Sequence, residues 1–251
     1  AQNCPGFAAS WGRMRVIVLV LCLPLAAAAA ERWVEFRSGP FQVLTSAGER
    51  SGREVLAQLE QLHWGLAAVL SQQELKTRWP VRVVVERKRP PAAPRLTRDA
   101  YTGALTANAP IPREWMRECA RLLIEPTAGR LPAEIESGLA DFYAHFEMRG
   151  STIITGQPPP QAERNLNWAR IHLLSTHPDY SGRLRVLLYN LRQGAEAEPA
   201  YANALGKKPA EIERQAASYL AAGQFPTVEL SGRPLNPQRD FTARTPSLAP
   251  E

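Results

Sequence analysis

The sequence predicts an α+β domain, with a small N-terminal sheet and a helix across it, followed by a mostly helical C-terminal half. Three observations carry this. Two strand-like runs, Trp33-Val-Glu-Phe-Arg37 and Phe41-Gln-Val-Leu-Thr45, flank the turn residues Ser38-Gly-Pro40. Val55, Leu56, Leu59, Leu62, Leu66, Val69 and Leu70 then recur at helical spacing and predict an amphipathic helix over about residues 50–71. Beyond Pro112 the apolar spacing is helical almost throughout.

The remaining elements follow in order. Val81-Arg-Val-Val-Val85 after Pro80 predicts a buried strand, so the opening order is β, β, α, β. Residues 87–98 are rich in proline and arginine and predict a solvated loop; a further strand falls near Ala104–Ala107. Helices are predicted over 113–125 and 133–148, the second with Ile135, Leu139, Phe142 and Phe146 on one face. A short strand over Ser151–Gly156 ends at Pro158–Pro160, and helices follow near 161–176, 180–193, 198–205 and 209–221. From Gly232 periodicity is lost, which predicts a loose Pro-rich tail over 231–251.

The chain has 251 residues, 45% hydrophobic and 22% charged, enough for one core. Residues 1–30 are expected to be an N-terminal extension and signal peptide. Met14-Arg15 makes a basic start, Val16–Leu25 an apolar run too short to span a bilayer comfortably, and Ala26–Ala30 a small-residue cleavage region. The main domain is then 31–230, exported to a periplasmic or extracellular setting, with no stable membrane span after cleavage. Cys4 and Cys22 leave with the leader. Cys119 remains alone, so no disulfide can form within the domain. Loss of Arg13 and Arg15 with the leader lowers the net charge from +6 to +6 − 2 = +4, mild for this size, and the basic loop lacks interleaved aromatics. Together with export, this argues against a nucleic-acid partner.

The residues from Arg113 to Ala144 carry the functional signal. They run helix, break, Leu131-Pro132, then a helix bearing Ser137-Gly-Leu-Ala-Asp-Phe142. This order resembles the core of the bacterial peptidase-MA-like family, exported gluzincin (zincin-like) domains often followed by tetratricopeptide repeats. The resemblance extends to Tyr180–Leu188 and Ala204–Arg214 and covers most of residues 33–230. It implies a zincin-like fold in which the first helix carries H-E-x-x-H and the second supplies a third zinc ligand. It places Arg117-Glu118-Cys119-Ala120-Arg121 on the first motif, Ser137 at the third-ligand position, and Asp141 where a carboxylate orients a ligating histidine.

The chemistry does not transfer with the layout. Two histidines one helical turn apart share one ion, and a glutamate completes the set. Here both histidine positions are arginine, a permanent cation that cannot ligate. Each unit-charge pair at about 4 Å would repel a metal by roughly 4 kcal/mol at an effective dielectric of ~20. Only Glu118, at the general-base position, keeps its residue type, and alone it offers nothing to polarise a carbonyl. The expectation is therefore no metal, no cofactor and a vestigial catalytic position. The domain would be a pseudoenzyme acting in binding or scaffolding, with an extended peptide or envelope protein as partner. An Arg121–Asp141 ion pair, with Glu118 beside it, would replace zinc as the bridge between the two helices. The alternatives are a hydrolase with a non-standard site around Glu118, Asp141 and His145, and a truncated member that lacks its repeats.

Overall fold

The first two apolar runs form a hairpin. In the computed structural model, which describes residues 32–126 and 131–246, β1 (Val34–Ser38) pairs antiparallel with β2 (Phe41–Thr45). Gly39 turns between them at φ 48°, a conformation that suits glycine. The expected leader lies outside the described residues.

Helix α1 (Glu49–Val69) packs against this hairpin and buries Leu56, Leu59, Leu62 and Leu66. Gly52 permits the approach, because a Cβ there would meet the Phe36 ring at 2.7 Å. The chain returns as β3 (Val81–Glu86), parallel to β2, and β3 pairs in parallel with β5 (Tyr101–Thr106). Between them β4 (Ala92–Leu96) adds antiparallel to β5, giving the order β1-β2-β3-β5-β4. The expected 87–98 loop is thus partly an edge strand. Pro94 hid it from pattern reading, and an edge tolerates proline at an irregularity such as the register shift between Ala92 and Arg95.

Helix α2 (Arg113–Ile124) lies against β4 and carries Trp115, Cys119 and Leu123 into the core. Helix α3 (Ala133–Tyr143) packs on α2 and, across its other side, on α4 (Leu166–Thr176). The helix expected over 133–148 stops at Tyr143 because the chain turns back on itself. Strand β6 (Glu147–Arg149) pairs with β7 (Thr152–Thr155) across the two-residue loop Gly150-Ser151, where Gly150 has φ 61°. Helix α4 starts late for a similar local reason. Asn165 caps it, its side chain accepting from Trp168 N at 2.9 Å. Helices α5 (Arg183–Arg192), α6 (Ala197–Leu205) and α7 (Pro209–Ala222) complete the C-terminal half, with α7 packed on α4. Among the described residues, no helix is long and apolar enough to cross a membrane.

The tail expected to be loose is held as far as residue 246. Strand β8 (Val228–Ser231) extends the β6–β7 hairpin to three strands. The Gln61 side chain then grips Arg233, donating to its carbonyl at 2.7 Å and accepting from its N–H at 2.9 Å. Arg233 also pairs with buried Glu60 at 2.8 Å, and Phe241 inserts into the core. Glu35 and Arg244 exchange two backbone hydrogen bonds of 2.9 Å across the outer edge of β1. These anchors are single side chains on α1 and one backbone bridge to β1, which no periodicity in the tail reveals.

The α3–α4 crossing rests on one glycine. A Cβ on Gly138 would stand 2.4 Å from the Asn167 carbonyl oxygen and 2.7 Å from Ile171 Cγ1. Gly138→Ala should therefore lower the stability measured by urea denaturation by about 2–3 kcal/mol, as overpacking against backbone does. A loss below about 0.5 kcal/mol would show that the two helices are not held this closely.

Candidate functional site

Arg113, Arg117 and Arg121 follow one another at four-residue spacing and so form a row along one side of α2. Opposite them α3 presents Ser137 and Asp141, also one turn apart. Arg117 stands between these two. Its Nε donates to Asp141 Oδ1 at 2.5 Å and its Nη2 donates to Ser137 Oγ at 3.4 Å. Arg113 Nη2 lies 3.5 Å from the same Asp141 oxygen, a charge contact without hydrogen-bond alignment, and Nη1 pairs with Glu163. The second Asp141 oxygen accepts from Asn165 Nδ2 at 3.2 Å.

The arrangement is a buried carboxylate on α3 held by two arginines of α2 and by Asn165 at the start of α4. The Asp141 side chain is only 4% exposed, against 14% for Arg113 and 39% for Arg117. A lone carboxylate in that position would be costly, and two guanidinium groups plus an amide compensate it. Asn165 does two things at once, capping α4 with its oxygen and holding Asp141 with its nitrogen.

The expected Arg121–Asp141 pair is not formed; Arg117 takes its place. The two helices run past each other so that Asp141 faces the Arg117 level, with Arg113 one turn to the far side. Arg121 is a turn away in the other direction, about 6 Å along the axis. It pairs instead with Glu118 of its own helix at 3.3 Å, and both side chains reach solvent. Glu118 sits one residue off the arginine row, about 100° around the helix, and no hydrogen bond joins it to Asp141 or His145. Arg113 was missed on reading the sequence, although its spacing of four from Arg117 was a usable signal.

Whether these residues suit a zinc ion follows from their chemistry. In the layout that the sequence resembles, the positions of Arg117 and Ser137 would ligate and Asp141 would orient a ligand. Here the three are bonded to one another through a guanidinium, which donates only. Among the described residues, no three His, Cys, Asp or Glu side chains converge as a metal set. The residues do not fit the ion.

The histidines and the cysteine are placed elsewhere. His63 is buried, and its Nε2 lies against the backbone of Leu75, 3.0 Å from the carbonyl oxygen and 3.2 Å from the nitrogen, with one of the two contacts a hydrogen bond in either tautomer. His172 is fully buried among Phe142, Trp168, Tyr219 and Phe225. Its Nε2 contacts the Gly156 carbonyl at 2.8 Å and its Nδ1 the Tyr219 hydroxyl at 2.9 Å, a pattern that suits a neutral ring donating through Nε2. Burial lowers its pKa against the carbonyl contacts of Gly156 and Pro226. His177 caps the turn Pro178–Tyr180. His145 lies near Arg113 and Glu163, and its pKa is lowered first by burial and then by Arg113, with Glu163 opposing. Burial, and secondarily Glu118, pushes the Cys119 thiol far above its ordinary range, so it is an inert core group. No family model, curated protein or solved structure matches the chain.

Two outcomes follow. Asp141→Ala leaves a cavity at the helix crossing, removes the Arg117 and Asn165 bonds and leaves Arg113 with Glu163 alone, and should cost about 3 kcal/mol in urea denaturation. Glu118→Ala and Arg121→Ala should each stay within about 0.5 kcal/mol of wild type; equal losses at Asp141 and Arg121 would contradict the assignment. His172 and His145 both bind protons less readily folded than unfolded, so stability is full above the ordinary imidazole pKa of about 6.5 and falls as pH drops below it. Melting temperature should decline from about pH 7 to about pH 5, and His172→Asn should flatten that decline. A steeper decline in the variant would remove His172 as its source.

Proposed function

We propose that this chain is an exported zincin-like domain of the peptidase-MA type that has lost its metal and works by binding or scaffolding rather than hydrolysis. The observation that carries the proposal is the Arg117–Asp141 bond, with Ser137 on the same guanidinium. At the three positions where the resemblance expects a zinc ligand, an arginine at each histidine and a serine at the glutamate remove every donor. The ion's structural task, holding the two helices together, passes to a protein cation. The order of elements supports the same reading: a helix across a mixed sheet, an antiparallel edge strand, then two helices in succession beside it.

The partner this arrangement favours is an extended peptide segment. Among the described strands β4 pairs only with β5, so its outer edge is open, while the opposite edge of the sheet at β1 is closed by Glu35 and Arg244. Leu96 on β4 is 61% exposed, and α2 packs against the same strand. A strand adding here would gain main-chain hydrogen bonds. Pro94 and the irregular register keep the pairing short.

Restoring the lost ligands tests the proposal. Wild-type protein dialysed against zinc should hold well under one ion per chain and show no chelator-sensitive hydrolysis of casein. The triple variant Arg117→His, Arg121→His, Ser137→Glu should bind zinc near stoichiometry, because Asp141 is already placed to orient a histidine. Stoichiometric zinc with peptidase activity in the wild type would overturn the loss of function. A folded triple variant with no gain in zinc would overturn the zincin-like layout.

A further inference from the structure

A groove apart from the Arg117–Asp141 pair opens between α1, the end of α3, the β7–β8 strands and the start of α5. Its volume is about 370 Å³, within the ~300–1,000 Å³ of small-molecule sites. Ala68, Val69, Phe142, Ile153, Leu174 and Leu230 make its walls apolar, and no acidic residue lines it.

Two polar features stand out against those walls. The first is Thr155, which lines the groove with 0% exposure and whose hydroxyl has no hydrogen-bond partner among the described residues. A buried hydroxyl normally has a partner, so one left unmet calls for a group that reaches it. The second is the start of α5. Gly182 precedes this ten-residue helix at φ 72°, no side chain caps it, and its first turn carries no acid. Ser181, Gly182 and Arg185 line the groove, so the positive end of the helix, whose first N–H groups have no intrahelical partner, and a basic residue border it. The strand register sets Thr155 opposite Val228 at one end and Ile153 opposite Leu230 toward the other. The far end is closed by Trp64, whose indole N–H donates to the Ser231 carbonyl at 3.2 Å.

We propose that the groove binds a free aliphatic monocarboxylate. Its chain lies along the apolar wall toward Trp64. Its carboxylate is received by the first-turn N–H groups of α5, by Arg185 and by the Thr155 hydroxyl. Charge complementarity selects an anion over a neutral amphiphile, and the enclosed apolar wall selects a hydrocarbon tail over a small anion. This site is independent of the lost-metal reading, since it shares none of the residues of that site.

Calorimetric titration of the full chain with decanoate, decanol and acetate tests the proposal. Decanoate should bind saturably at one site per chain, decanol more weakly and acetate not measurably. Arg185→Glu, at an exposed position, should weaken decanoate about tenfold or more and leave decanol unchanged. Thr155→Val should weaken decanoate roughly 2- to 10-fold without lowering the melting temperature, because the replacement keeps shape and removes an unmet hydroxyl. No saturable decanoate binding, equal affinity in wild type and both variants, or capture only by phosphatidylglycerol vesicles would each overturn the proposal.

Discussion

The carboxylate of Asp141 is the point on which the helical half of the domain depends. It is buried on α3, and its two oxygens are shared among Arg117 and Arg113 of α2 and Asn165 at the head of α4. The partners come from α2 and from the head of α4, so one charge on α3 ties three helices together. Compensation of this kind is obligatory once the carboxylate is buried. It does not follow that the pair adds net stability, because desolvating both partners offsets much of their attraction. What the node supplies is registry: α2, α3 and α4 can slide past one another only by leaving a buried charge unmet. Gly138, one turn before Asp141 on α3, lets the α4 backbone come close enough for Asn165 to reach.

The sheet half has a different organiser. Helix α1 lays its leucines on the β1–β2 hairpin, and its polar side chains reach the other way to hold the C-terminal segment. Glu60 and Gln61 on α1 take Arg233, and Arg53 donates to the Phe241 carbonyl at 3.2 Å. The last described residues thereby close the β1 edge, and the β4 edge is left open beside α2. An open edge is a liability in an isolated domain and an asset in one that receives an extended segment. The asymmetry between the two edges is what gives the binding proposal a direction.

The arginine row shows how a side-chain cation can hold two helices together. A guanidinium presents several donors in a fixed plane, so it can join an acid and a hydroxyl on the facing helix at the same time. A lysine at position 117 would offer one mobile charge and would hold the two helices less definitely. The two outer arginines have different tasks. Arg113 is drawn in toward Asp141 and Glu163, and Arg121 remains a surface partner of Glu118.

By itself the sequence determined the α+β class, the order of nearly every element and the pair of helices that forms the site. It did so because apolar periodicity, turn residues and the placing of Arg117 and Arg121 one turn apart are local facts. It also suggested a cation meeting Asp141 as the bridge between those helices, assigned there to Arg121. Tertiary structure decided which arginine that is, since the level at which two helices cross depends on packing at Gly138 and on the turn between them. It likewise decided that residues 92–96 join the sheet despite Pro94, that the segment after Tyr143 turns into a hairpin, and that the polar tail docks on Glu60 and Gln61. Each of these is a contact between residues far apart in the chain, and such contacts leave no period to read.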